Sequence, residues 1–190
     1  MSNMTDLLLE IQEFVQTNRI FPNCPLKAEV DSPSNHYDFL YEFCRRTQPT
    51  RVAELGTHFG VSTAYIHRGC PTAEIWTVDN DLIKSPNIAK HAKNLPNTTF
   101  ILGEAAEVAA QIPGDLDFIF IDEEKDVPNL EADLRLYYPK VKAGGCLFFD
   151  DILGANYYPE AYKWWRELQG YSQLDLPKVH HNYAWGVILK

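Results

Sequence analysis

The chain has 190 residues, 45% of them hydrophobic and 23% charged, with a formal net charge of −9. At about 100–200 residues per domain this is a single domain, large enough to bury a core without staples. The ordinary composition excludes collagenous, low-complexity and wholly disordered chains. The acidic balance lacks the electrostatic footprint of a nucleic-acid binder.

Cysteines at 24, 44, 70 and 146 form no Cys-x-x-Cys pair, which argues against a zinc site or a disulfide framework. The N-terminus shows no basic leader followed by an apolar stretch, because Asp6 and Glu10 interrupt it. No apolar run approaches the ~18 residues of a membrane span. The expected compartment is the cytoplasm, with neither nucleic acid nor membrane as a partner.

The first predicted element is a helix from Thr5 to Thr17, with Leu7, Leu8, Ile11, Phe14 and Val15 on one face. Such a face must pack on something. The protein's own core is the expected site; a dimer contact or a cover over a pocket are the alternatives. A connector with Pro22, Pro25 and Pro33 follows. Ser34 is a plausible N-cap for a helix carrying Tyr37, Leu40, Tyr41 and Phe43, which ends at Pro49. From there strands are predicted at 51–55, 74–78, 98–102, 116–121 and 145–149. Helices are predicted at 61–67, 86–94, 104–111, 129–138 and 160–168. Two extended stretches, 171–176 and 183–189, come without a helix between them and suggest an antiparallel edge hairpin. Alternating strands and helices predict a mostly parallel sheet covered on both faces. Ligands then bind beyond the carboxyl ends of the strands, so the residues that follow each strand matter most.

After the first strand comes Glu54-Leu-Gly-Thr-His-Phe-Gly-Val-Ser62. Gly56 and Gly60 allow a ligand to approach the backbone, and the helix start offers free N–H groups to an anion. A dinucleotide fingerprint fails, since His58 and Val61 stand where glycines are required. Asp79 ends the second strand, about 20 residues on, where an acid can accept from a ribose diol. Gly103-Glu104 ends the third strand and could reach the edge of a base. The fourth strand ends in Asp122-Glu-Glu-Lys-Asp126 and the fifth in Asp150-Asp151. Clustered carboxylates repel unless a cation or proton intervenes, and hard oxygen ligands suit magnesium or calcium. Lys125, if partly desolvated, could have a lowered pKa and act as a base. Tyr157 and Tyr158 are candidates for an acceptor pocket, whereas Trp164 and Trp165 are expected in the core. His180-His181 reads as a polar turn.

These pieces, in this order, resemble the class I S-adenosylmethionine-dependent methyltransferases, nearest to the catechol and caffeoyl-CoA O-methyltransferases and methyltransferase family 24. The resemblance runs from about residue 35 to 190. It is carried by the 54–62 motif, Asp79, Asp117-Phe-Ile-Phe-Ile-Asp-Glu-Glu-Lys125, Ala143-Gly-Gly-Cys-Leu-Phe-Phe-Asp-Asp151 and Tyr183-Ala-Trp-Gly-Val-Ile-Leu-Lys190. It implies an α/β fold: a Rossmann-like doubly wound, mostly parallel sheet of about seven strands with an antiparallel edge hairpin. Residues 1–190 would form one domain, with 1–34 as helix and connector and 35–190 as the core. The implied cofactor is S-adenosyl-L-methionine, held by Glu54, Gly56, Thr57, Gly60, Ser62, Asp79, Gly103, Glu104 and Asp122. Asp122, Asp150 and Asp151 would hold Mg2+ or another divalent cation. Lys125, with Asp122, would be catalytic, taking the proton of an acceptor hydroxyl.

Two departures stand out. The catechol-type enzymes usually end the fifth strand Asp-Asn, and family 24 members more often carry a His near Glu124-Lys125. The expected activity is metal-assisted O-methylation of a small hydroxylated molecule, with a homodimer possible. Metal-independent transfer to oxygen or nitrogen, or a non-catalytic cofactor-binding module, are the alternatives.

Overall fold

A computed structural model describes residues 3–18, 20–21, 36–80, 89–177 and 184–190. Seven strands form its sheet: β1 (Arg51–Leu55), β2 (Glu74–Asp79), β3 (Thr98–Leu102), β4 (Leu116–Ile121), β5 (Val141–Phe149), β6 (Ser172–Leu176) and β7 (Trp185–Leu189). Their order is β3-β2-β1-β4-β5-β7-β6. The first five are parallel, and β7 pairs antiparallel with both β5 and β6. The expected edge hairpin is therefore present, with β6 outermost.

Strands buried on both faces read as apolar runs, and β4 and β5 do so because both their faces are covered. Phe118, Phe120, Cys146 and Phe148 point to one face, beneath helices α1 (Met4–Thr17), α2 (His36–Thr47) and α3 (Val61–Gly69). Leu116, Ile119, Ile121, Leu147 and Phe149 point to the other, beneath α4 (Ala105–Val108), α5 (Val127–Tyr137) and α6 (Pro159–Glu167). The apolar face of α1 docks on the protein's own core, with Leu8, Ile11 and Val15 wholly buried.

The helix predicted at 86–94 is not seen in its described part; residues 89–94 form turns. Ala89 donates to the His58 carbonyl and His91 to the Phe59 carbonyl, so this stretch is laced onto the loop after β1. Two of its amides are spent on that loop, and Ala89 takes a φ of +52°, which no helix tolerates. Ser34, Cys24, His180, His181 and Tyr183 lie outside the described residues.

Order passes from β1 to β4 in the middle of the sheet, which opens a crevice at the carboxyl ends of these strands. The hairpin matters to this crevice because it delivers Trp185. Gly186 beside it has no room for a side chain: a Cβ would lie 2.6 Å from Trp165 and 2.7 Å from Ile152. Gly186→Ala is expected to cost about 1–3 kcal/mol through overpacking, read as a lowered midpoint in urea unfolding with unchanged slope.

Candidate active site

The loop after β1 is shaped by contact of chain with chain. Gly56 has a φ of +96°, and a Cβ there would sit 2.1 Å from the Asp122 carbonyl oxygen. Gly60 has a φ of +81°, and its Cβ would lie 2.8 Å from Ala92. Both glycines are thus required by the packing of this loop between the β4 end and residues 89–92, whatever ligand lies above. The Gly56 and Thr57 amides donate to the Val78 carbonyl, and the His58 amide donates to Asp79 Oδ2 at 2.6 Å. Asp79 is thereby fixed beside the loop.

Glu54 points the other way, toward α3. It is wholly buried; its Oε2 accepts from the Thr63 hydroxyl and, at 2.5 Å, from that of Thr77. Thr57 completes the chain with a 2.6 Å contact to Thr77. Burial pushes the Glu54 carboxyl up to about 7, with the Ser62, Thr63 and Thr77 hydroxyls pulling against it and Asp122 adding to it. Ser62 is therefore engaged with Glu54 at the start of α3.

A cavity of about 650 Å3 lies over the ends of β1, β2, β3 and β4. That is the size of a small-molecule site. Gly56, His58, Asp79, Glu104 and Asp122 line it, as do Glu123, Asn129 and Asp133. Asn80 donates to Glu104 Oε1 at 2.9 Å and holds it at the rim. Gly103, with a φ of +153°, turns the chain out of β3 and packs on Val108.

The predicted carboxylate cluster also forms. Lys125 Nζ donates to Asp122 Oδ1 at 3.0 Å and to the Glu123 carbonyl at 2.6 Å. Its side chain is 6% exposed, while that of Asp122 is 40% exposed toward the cavity. Asp150, 5% exposed, accepts from the Trp185 indole N–H. Burial, Asp122 and Asp151 push the Asp150 carboxyl well up, against the pull of Lys125 and the Trp185 indole. Asp122 stays below its ordinary value despite burial, because Lys125 holds it there. Burial and Asp122 lift Asp151 to about 6. It too has a left-handed backbone, with a φ of +58°.

Lys125 corrects the sequence expectation. Burial alone pushes its amine down, but Asp122, Asp150 and Asp151 outweigh that and its pKa is raised. As folded here it is a counter-ion. The hard oxygen donors suit a divalent cation, yet among the described residues no three carboxylate, imidazole or thiol groups are set around a metal position. Lys125 and Trp185 already hold oxygens of Asp122 and Asp150.

Other residues fall differently. Trp164 and Trp165 are core, as expected, and Tyr157 is 55% exposed. Tyr158 packs against the core at the start of α6. Neither tyrosine lines the 650 Å3 cavity. Three partners escaped sequence reasoning. His36 and Tyr37 open α2 within electrostatic reach of Asp122, and Trp185 grips Asp150. They come from elements remote in sequence, and no local signal marks them. Asp126, read as part of the cluster, instead caps α5 through the Asn129 amide at 3.1 Å.

Comparisons with known proteins agree with this architecture. Residues 53–152 match methyltransferase family 24, described as a methyltransferase domain. The chain is 30% identical over 138 residues to O-methyltransferase hkm8 of Aspergillus hancockii. That match covers 68% of this chain and 54% of the relative, so the chain spans about half the length of the curated relative. Among solved structures, a candidate caffeoyl-CoA O-methyltransferase from Staphylococcus aureus superposes with a TM-score of 0.71 at 17% identity, over 96% of this chain and 99% of that one. The SAH-bound Podospora anserina methyltransferase PaMTH1 gives 0.68 at 19% identity, over 99% and 89%. The O-methyltransferase from Bacillus cereus in complex with SAH gives 0.65 at 16% identity, over 95% and 91%.

Glu54 offers a test of the buried electrostatics. A carboxyl raised from its ordinary 4.5 to about 7 stabilises the fold when protonated, and that contribution is lost as pH rises from about 4.5 through 7. Glu123 at about 8, Asp133 at about 7 and Asp151 at about 6 act in the same sense. Stability is expected to fall between pH 5 and pH 8. Glu54→Gln should flatten part of that fall, by at most about 3 kcal/mol at pH 8, in denaturant melts across the range.

Proposed function

Because the chain belongs to methyltransferase family 24, we propose that it is an S-adenosylmethionine-dependent O-methyltransferase of a small hydroxylated acceptor, assisted by a divalent cation. The observation that carries this reading is Asp122 on the wall of the 650 Å3 cavity with Lys125 bound behind it, and Asp150 at the end of the neighbouring strand. One site thus joins a cofactor-sized cavity to a proton-handling group.

In this reading the cofactor supplies an electrophilic methyl on a sulfonium sulfur. The loop at Gly56, Thr57 and Gly60 lies beneath its methionine part, Asp79 faces its ribose, and Gly103 and Glu104 face its base. Ser62 and Glu54 brace that loop from below. Asp122, Asp150 and Asp151 are the residues that would hold the cation, which lowers the pKa of a bound hydroxyl and orients it. With those carboxylates neutralised, Lys125 loses what raises its pKa. Its amine can then take the acceptor's hydroxyl proton. The rest of the work is holding two reactants in line.

A second reading has its own support. Lys125 and Trp185 each take an oxygen of the carboxylates that would hold a cation, and a metal-independent transferase would use them so.

Calorimetric titration with S-adenosylhomocysteine should show one-to-one binding; a folded sample that binds none overturns the cofactor assignment. With an accepted diol or phenol, Lys125→Met should lower kcat by about 10²–10⁴-fold. Chelation and Asp150→Ala should each abolish turnover. Full turnover after both would leave the metal-independent reading in place.

A further inference from the structure

The cavity continues past Glu104 to the helix α5, and one residue there has an unmet hydrogen-bond requirement. The Tyr137 hydroxyl donates to the Ala105 carbonyl at 2.7 Å and pins α5 to the turn after β3. Asp133 lies one turn before Tyr137 on the same helix face. It is 3% exposed, lines the cavity, and its Oδ2 has no hydrogen-bond partner among the described residues. A buried carboxylate oxygen without a donor is costly. Helix α5 does not need it, since Asp126 serves as its N-cap.

The surroundings say what kind of donor is missing. Ala105, Ala106 and Ala132 give this end of the cavity small apolar walls. Glu104 Oε1 already accepts from Asn80. Asn129 spends one N–H of its side-chain amide on Asp126 Oδ2 at 2.6 Å, which leaves its other N–H and its carbonyl oxygen to a ligand. A pocket with apolar faces and an acceptor edge suits a planar ring that carries N–H donors. Burial raises the Asp133 carboxyl to about 7 against the pull of Lys125, with Asp126 adding to it. A bound N–H donor would favour its ionised form.

We propose that Asp133 is a specificity residue for the cofactor's base, accepting the exocyclic 6-amino N–H of adenine and refusing a 6-oxo purine. This rests on the S-adenosylmethionine reading above. A 6-oxo purine would turn a carbonyl oxygen toward the carboxylate, leaving two acceptors face to face.

The test compares S-adenosylhomocysteine with S-inosylhomocysteine by calorimetry on the full chain. At about pH 8.5, where the free Asp133 carboxyl is ionised, the wild type should prefer the adenosyl compound by about tenfold to a hundredfold, the worth of one hydrogen bond to a charged group. Asp133→Asn, whose amide can donate or accept, should weaken adenosyl binding and bring the ratio close to one. Asp133→Ala should also erase the preference. The free Asp133→Asn protein should melt no lower than the wild type, because an unpaired buried carboxylate has been removed. A residue kept for the fold would melt lower. Equal wild-type affinity for the two compounds, or a preference unchanged in both variants, overturns the proposal and leaves the cofactor assignment intact. Binding of neither compound overturns the cofactor assignment, and the proposal with it.

Discussion

The closest constraint in the molecule is the meeting of the β1 and β4 ends. The Asp122 amide donates to the Leu55 carbonyl at 2.8 Å, and the Asp122 carbonyl presses on the bare Cα of Gly56. No residue but glycine fits there. This abutment sets the height of the loop that holds Asp79 and, on the same peptide, the acid that holds Lys125. The glycine loop with Asp79 and the Asp122–Lys125 pair are therefore two faces of one backbone contact. A shift of either strand by one residue would separate them and turn every side chain to the opposite face.

A second constraint is charge. Asp122, Asp150, Asp151, Glu123 and Asp133 are gathered around one lysine. Apart from Asp122, each has its carboxyl raised by burial. Such a site is less stable than an apolar one of equal volume, and whatever binds there to relieve it stabilises the folded state. The electrostatics at the strand ends thus oppose the hydrophobic packing of the sheet beneath. That packing is dense: Phe118, Phe120 and Phe148 stack under α2, and Ile119 and Phe149 pack beneath α5 and α6.

The sheet was legible in the sequence because burial on both faces leaves an apolar run that needs no tertiary knowledge to read. Strands 51–55, 98–102 and 116–121 sit where the pattern placed them. The turns at 89–94 were not legible, since Ala89 and His91 give their amides to His58 and Phe59, a loop much earlier in the chain, while Ala92 and Lys93 bond within the segment. The same limit applied to the site. Asp79, Asp122, Lys125 and Asp150 follow strands, so topology alone brings them together. Trp185, His36 and Asp133 reach it from a returning strand and from helix faces. The protonation of Lys125 was misjudged for a related reason: its neighbours, three carboxylates from two strands, decide its pKa more than its own burial.

Glu54 and Asp133 show how alike two buried acids can look and how differently they are held. Both are wholly or almost wholly covered, and burial lifts both to about 7. Glu54 faces α3 on the side of the sheet away from α5, among the hydroxyls of Ser62, Thr63 and Thr77, and it braces the glycine loop. Glu54 Oε1 and Asp133 Oδ2 both lack a hydrogen-bond partner among the described residues, but Asp133 stands on the wall of a cavity, on a helix that another aspartate already caps. The first pattern belongs to a carboxyl built into the scaffold. In the second, a donor arriving from the cavity would relieve the unmet cost, and free energy lost in the empty protein would become selectivity.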